Sequence, residues 1–463
     1  MDGHGWRTTA VVGSGTAPSV AARPIDRARH WRWLLLALFW FGLGAALLPW
    51  WLDTAPDAMR GAGSVLTAAG RIIGLVAGYV LLVQVMLMSR LGWLERWIGA
   101  NDLILWHREL GGFLVVAVLA HAALVTFGYA RTEHVSVLGQ TWTFLTEYEE
   151  VLKAFAATAM LVGIGLLAVR GIRRALSYEV WYLLHITAYL VLLLAFSHQF
   201  ADGQELASGA ARYLWIGLYL AVIVAVLWGR LVAPLRLNLR HRLRVADVVA
   251  EAPDMTSVYV TGRALDRLGA KAGQFFRWRF LARRVWWQSH PFSLSAAPND
   301  HWLRLTVKTV GDHTARLRRL RPGVRVYVEG PAGEFTADRR TRSKTLLIAA
   351  GSGIAPIRAL LEEVPPGAVV LYRASTPDDL VFVEELEPLA EARGAKLWYV
   401  LGSRDDPGPR HLFSARGLHE LVPDIARRDV YLCGPDGFIS TSVRLLRRLG
   451  VPRHQIHLDP FEL

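Results

Sequence analysis

The sequence predicts a multidomain membrane protein: a six-helix transmembrane bundle, then an antiparallel β-barrel, then an α/β Rossmann-like domain. Three observations carry this. Six apolar runs, each close to the roughly twenty residues a bilayer requires, all lie before residue 234. Short alternating stretches rich in β-branched residues follow to about residue 330. From residue 344, apolar strands ending in glycine or polar residues alternate with helical segments.

Composition excludes several classes. A single cysteine, Cys433, in 463 residues leaves no internal disulfide and no Cys-rich zinc or iron–sulfur site. The formal charge of +13 reads as arginine flanking the apolar runs, so no nucleic-acid partner is expected.

Residues 1–30, rich in Gly, Ala, Ser, Thr, Pro and Arg, read as a disordered cytoplasmic lead-in without a cleavable signal. The apolar runs are 31–52, 64–89, 103–128, 149–170, 178–200 and 211–233. Arg23, Arg27, Arg29, Arg90, Arg96, Arg170, Arg173, Arg174, Arg236, Arg240, Arg242 and Arg244 all fall on one side of such a bundle. The opposite loops carry Asp53, Asp57, Glu133, Glu147, Asp202 and Glu205. By the positive-inside rule both termini are cytoplasmic and the chain is a multi-pass protein of the plasma membrane.

Of fifteen histidines, four lie inside long apolar runs: His107 and His121 in the third, His185 and His198 in the fifth. A lone buried imidazole usually bonds a backbone carbonyl, but two matched pairs in hydrocarbon mark function, and facing helices of a bundle are where cofactor sites are built. A spacing of 14 returns His121 to the face of His107, about 21 Å along the axis. A spacing of 13 leaves His198 about 140° from His185, so the fifth helix is expected to be distorted or rotated. Because the third and fifth helices run parallel, His107 and His185 share the inner level and His121 and His198 the outer one. Arg71 lies at the depth of His121 and reads either as a partner for an acidic cofactor group or as a snorkelling side chain.

The second half begins with strands expected at 239–249, 256–261, 274–280, 302–310 and 324–329. Within it, His290-Pro291-Phe292-Ser293 suits a flat ring that needs a stacking face and an edge hydrogen bond. Lys308, Gly311 and Thr314 lead into a short helix running to Leu320, whose free N-terminal amides would hold a diphosphate. In the last part, strand Thr345–Ala350 runs into Gly351-Ser-Gly353-Ile354-Ala-Pro356, where glycines let the backbone approach phosphate. Strands at 369–372, 396–401 and 429–432 place Arg373, Ser403, Arg404 and Cys433-Gly434-Pro435 along one carboxyl edge, where ligands bind. Arg404 reads as a grip on an adenosine 2′-phosphate or as a solvated loop residue. Cys433 reads as a nicotinamide-edge thiol or as packing, and Phe461 as a flavin cover or as packing.

Taken together, the four membrane histidines, His290-Pro-Phe-Ser, 308–314, Gly330-Pro-Ala-Gly333, Gly351-Ser-Gly-Ile-Ala-Pro, Gly402-Ser-Arg404, Cys433-Gly-Pro and Phe461 resemble the ferric reductase and NADPH oxidase superfamily. The resemblance covers the chain after residue 30. It implies a transmembrane haem domain over 31–233, a FAD-binding β-barrel domain over 236–338 and an NAD(P)H-binding domain over 344–463. It also implies FAD, two haems b and NADPH or NADH as cofactors, His107 and His185 on the inner haem, His121 and His198 on the outer, and Cys433, Ser293 and Phe461 at the reacting flavin edge. The ending Asp459-Pro-Phe-Glu-Leu463 departs from the family's Phe-x-Phe.

The implied activity is electron transfer from cytoplasmic NADPH through FAD and both haems to dioxygen or a ferric chelate outside the cytoplasm. A flavin is required because a hydride carries two electrons and a haem accepts one. Electron delivery to quinone or a periplasmic partner protein, and a haem-binding sensor without turnover, remain open; no protein partner is required by the motifs. His134, between Arg131 and Glu147, reads as an aid to the acceptor or as a solvated loop residue.

Overall fold

The computed structural model describes residues 26–53, 60–201, 203, 206, 209–403 and 406–460. These fall into two compact units, Ala28–Leu231 and Val232–Leu463.

In the first unit six helices are long and apolar enough to cross a membrane: Trp33–Leu52, Ala62–Leu87, Asp102–Thr132, Glu150–Leu167, Val180–Ala201 and Gly209–His241. The second is the most enclosed and packs along the third. Glycines at 70 and 74, four apart, let the two backbones close: a Cβ at Gly70 would come within 2.7 Å of Val125, and one at Gly74 within 2.6 Å of His121 Nδ1. The fifth is two helices, Tyr178–Ile186 and Ala188–Ala201, separated at Thr187 between its histidines. This is the distortion that a spacing of 13 demands. The stretch between Arg131 and Glu147 holds a helix, Val137–Glu147, capped by the Ser136 hydroxyl, which accepts from Gly139 N at 3.0 Å. The sixth helix runs past the expected end at 233. It passes through a π-helical turn, Trp228–Val232, into helix Ala233–His241, closed by Arg242 in the left-handed conformation. Residues 239–241, expected in a strand, are therefore helical, because Pro234 sits where a first helical turn tolerates it.

The second unit begins with β1 (Arg244–Ala252), β2 (Met255–Thr261), β3 (Phe275–Phe280), β4 (His290–Ser293), β5 (Leu303–Lys308) and β6 (Val326–Ala332). The expected barrel takes the form of two three-stranded antiparallel sheets, β1-β2-β5 and β4-β3-β6, touching through single bridges at Arg244–Arg325 and Leu294–Leu305. In β3 the alternation is strict: Phe276, Trp278 and Phe280 are buried, and the residues between them are not.

The remaining strands are β7 (Thr345–Ala350), β8 (Val369–Ala374), β9 (Lys396–Leu401), β10 (Asp429–Gly434) and β11 (Ile456–Pro460). They form one parallel sheet in the order β11-β10-β7-β8-β9. β7 is buried throughout, as a central parallel strand covered on both faces must be. β11 extends the sheet beyond the strands the sequence suggested.

The two sheet systems of this unit are held together by Arg304 of β5, whose side chain is 2 % exposed. It donates to both carboxylate oxygens of Glu385, at 2.7 and 3.0 Å, to Ser295 Oγ and to Tyr259 OH, and lies 4.7 Å over the Phe382 ring. Arg358 Nε reaches the same carboxylate at 2.8 Å. A desolvated bidentate pair of this kind is costly to break from one side. Arg304→Ala is expected to destabilise the second unit by about 3 kcal/mol, read as an earlier midpoint when the intact protein is titrated with denaturant.

Candidate functional site

The membrane histidines meet as pairs. The His107 and His185 rings lie 5.8 Å apart, centre to centre, at 72°. A metal–imidazole bond of about 2 Å on each side, added to the ring half-widths, requires roughly 6 Å. His121 and His198 line one cavity of about 430 Å³, together with Arg71, Gly74, Gly78, Tyr129 and Phe155. That volume is within the range of cofactor pockets, about 300–1,000 Å³. Among the described residues no three His, Cys, Asp or Glu gather as a metal site, so each level offers two imidazoles.

Both third-helix histidines are oriented from the second helix. His121 Nδ1 lies 2.8 Å from the Gly70 carbonyl oxygen, and His107 Nδ1 lies 3.3 Å from that of Gln84. A carbonyl only accepts, so each ring carries its proton on Nδ1, the tautomer of histidines that bind metal through Nε2. Gln84 is buried and returns the contact, donating Nε2 to the His107 carbonyl at 2.9 Å. Sequence reasoning passed over Gly70 and Gln84. The readable signal was the four-residue glycine repeat beside a polar side chain in an apolar helix.

In the second unit two of the expected residues converge, and an unexpected one joins them. Ser293, at the end of β4, donates Oγ–H to Asp459 Oδ2 at 2.8 Å. Cys433 of β10 lies opposite Asp459 in the parallel register, and its thiol donates to the Asp459 carbonyl at 3.3 Å. Burial pushes the Cys433 thiol well up, so it stays protonated. Burial also pushes the Asp459 carboxyl up to about 6, while the Ser293 hydroxyl pulls it down. Asp459 was missed because an aspartate before proline near the terminus reads as a turn.

The glycine turn after β7 closes on the same edge. Gly351 has φ 55°, and a Cβ at Gly353 would strike the Cys433 carbonyl, so only glycine permits this approach. Ile354 and Pro356 are buried at the start of helix Ile354–Glu363, and Pro435 caps helix Asp436–Arg448. Arg373 Nη2 faces the Gly402 carbonyl at 3.5 Å, and Ser403 N donates to Asp406 Oδ2 at 2.5 Å. Arg404 and Phe461 lie outside the described residues.

The helix after Gly311 is Asp312–Leu317, ending before the expected Leu320, and the Thr314 hydroxyl accepts from the amides of Val310 and Gly311, just ahead of it, at 3.0 and 3.1 Å. Lys308 Nζ pairs with Asp254 at 3.1 Å. His290 packs against His313, ring centres 4.1 Å apart, and His313 contacts Gln288 Oε1 at 2.7 Å. Trp278 Nε1 donates to the Phe292 carbonyl at 2.9 Å, holding Pro291 and Phe292 in the pleat.

An apolar helical unit and a two-part nucleotide module define a multi-pass membrane oxidoreductase that uses FAD and NAD(P)H. Known proteins agree: the ferric reductase like transmembrane component matches residues 73–196, the FAD-binding domain 241–336 and the oxidoreductase NAD-binding domain 347–444. The chain belongs to the ferric reductase and NADPH oxidase superfamily. Its reductase half is 32% identical over 233 residues to the ferredoxin reductase component of 3-ketosteroid-9-alpha-monooxygenase from Mycolicibacterium smegmatis, a match spanning 48% of this chain and 65% of that protein. It is 30% identical over 189 residues to ferredoxin--NADP reductase B from Sorangium cellulosum, spanning 37% and 77%. Among solved structures, the flavohem-like FAD/NAD binding domain of nitric oxide dioxygenase from Vibrio cholerae is similar at 25% identity and a TM-score of 0.41, covering 47% of this chain and 98% of that one.

The Ser293–Asp459 pair carries a pH expectation. Below pH about 6 the carboxyl holds its proton, and above it the carboxylate accepts one through Ser293 Oγ. Reoxidation of the NADPH-reduced protein by a one-electron acceptor is expected to accelerate as pH rises through about 6. In Asp459→Asn that limb is expected to vanish from a stopped-flow pH profile.

Proposed function

We propose that the chain passes electrons from cytoplasmic NADPH across the membrane, by way of FAD and two b-type haems, to dioxygen or a ferric chelate on the extracytoplasmic side. The observation that carries this reading is the pairing of four membrane histidines at two levels, in a chain that also holds a complete reductase module. The residues fit haem: each level presents two imidazoles, the His121–His198 level opens into a cavity, and the Nδ1 atoms of His107 and His121 are tied to carbonyls.

When bound, the flavin divides a two-electron donor into single electrons and the haems carry them. The protein's part is to hold and to exclude. His107, His121, His185 and His198 would hold the two haems through their imidazole nitrogens. Arg71, in the wall of the cavity, supplies a cation suited to a propionate. Pro291 and Phe292 line the flavin, with Ser293 and Asp459 holding a proton at its edge. Gly351, Gly353, Ser403 and Arg404 receive the nucleotide, and Cys433 stands where the nicotinamide would meet the flavin. The arginine distribution supports a plasma-membrane protein with both termini and the reductase unit cytoplasmic.

A second reading has one observation in its favour: the first relative is named as a reductase component, and a component delivers its electrons to another protein. In that case a partner protein or quinone, rather than dioxygen or ferric iron, takes the electrons.

The test is an anaerobic NADPH-minus-oxidised difference spectrum of the purified protein with added FAD, followed by air. Low-spin b-type bands on NADPH addition are expected, halved in His121→Leu and in His185→Leu; bands raised by dithionite but not by NADPH would overturn the proposal. Fast reoxidation in air marks dioxygen as the acceptor, and slow reoxidation rescued by ferric citrate marks a ferric reductase. Arg404→Ala is expected to raise KM for NADPH at least tenfold more than KM for NADH, about 1.4 kcal/mol of selective binding, measured by steady-state kinetics with both nucleotides.

A further inference from the structure

The two imidazoles of the His107–His185 pair are supported differently. His107 Nδ1 meets the Gln84 carbonyl oxygen, whereas the buried Nδ1 of His185 has no hydrogen-bond partner among the described residues. His185 is held by a flat face instead. Its ring lies 4.9 Å from that of Trp181 at an interplanar angle of 18°, and the Arg173 guanidinium sits 4.6 Å over the same indole. Trp181 and His185 stand one helical turn apart on Tyr178–Ile186, where side chains four residues apart are neighbours. Arg173 comes from the short helix before it, Arg170–Ala175.

We propose that Trp181 and Arg173 form a stacked cation–indole–imidazole column that orients His185 and raises the electron affinity of the haem held by His107 and His185. The inference rests on the haem assignment proposed above. An imidazole whose N–H is bonded to an acceptor is a more basic ligand and favours oxidised metal. His185 lacks that bond, so it is the weaker donor of its pair. The guanidinium acts in the same direction, because reduction adds a negative charge that a nearby cation stabilises. The stacking distances of 4.6 and 4.9 Å, with half of the 5.8 Å between the imidazoles, bound the separation of the cation from the midpoint of the pair at about 12 Å. At an effective dielectric constant of about 20, one charge at that distance shifts an equilibrium by about tenfold. For one electron that is about 59 mV.

Both third-helix ligands, His107 and His121, have their Nδ1 atoms tied to carbonyls, so the column distinguishes one ligand of one level. Loss of the indole is expected to release the ring plane of His185, which low-spin ferric electron paramagnetic resonance reads directly. Loss of the cation alone leaves the ring plane in place and moves only the potential.

The experiment is a redox titration of the purified full-length protein, followed optically and by electron paramagnetic resonance, for wild type, Arg173→Gln, Trp181→Phe and Trp181→Leu. The titrating bands are assigned to levels by their loss in His185→Leu and His121→Leu. In Arg173→Gln the His107–His185 haem is expected to become harder to reduce by about tenfold while the other stays in place. In Trp181→Leu the ferric signal of the same haem is expected to change, and Trp181→Phe, which keeps an aromatic face, is expected to restore it. Both haems retained with potentials and signals unchanged in Arg173→Gln and Trp181→Leu would overturn the column and leave the haem assignment standing. Absence of haem from the wild-type protein would instead overturn the assignment on which the column rests.

Discussion

The structure depends on the cost of placing imidazoles in hydrocarbon. A polar ring inside a membrane helix must find a partner, and helix backbones have already spent their carbonyls on their own hydrogen bonds. The second helix solves this by closeness. Its glycines at 70 and 74 bring its backbone near enough for the Gly70 carbonyl to accept a second hydrogen bond, from His121. Gln84 does the same for His107 one level away and adds its own amide to the contact. A helix that carries none of the four histidines thus decides the tautomer and facing of two of the four rings.

The second unit shows the same logic. One edge of it is assembled from segments distant in sequence: the end of β4, the end of β10 and the last described strand, β11. Their convergence depends on the sheet systems being held in one relation, and the Arg304–Glu385 pair, with Arg358 and Phe382 around it, is one of the contacts that do so. Charges are suited to this because their geometry is exacting, whereas apolar contact tolerates sliding.

Much of this was legible in the sequence, for reasons that differ by region. The six crossings were readable because a bilayer demands length and apolarity, and little else in a chain produces both. The boundaries of β7 were readable because a strand buried on both faces is apolar almost throughout and ends abruptly at Gly351. The start of β1 was misplaced, since 239–241 alternates like a strand while the helix before it simply continues through Pro234 to His241. Asp459 was illegible because its role arises from pairing with β10, 26 positions earlier in the chain, and no local pattern records a partner at that separation. The segment from Lys308 to Thr314 was half legible: the turn and the helix after it were recognised, but not the helix's end at Leu317 or the cap that the Thr314 side chain supplies.

The break at Thr187 has a consequence for how such a protein can change over time. A single rigid helix would couple its two histidines, so that any rotation improving one level would spoil the other. With separate segments, Tyr178–Ile186 and Ala188–Ala201, each level has its own lever arm. Substitutions can then accumulate around one histidine while the other keeps its alignment, which makes the two segments independently adjustable parts within one helix position of the bundle.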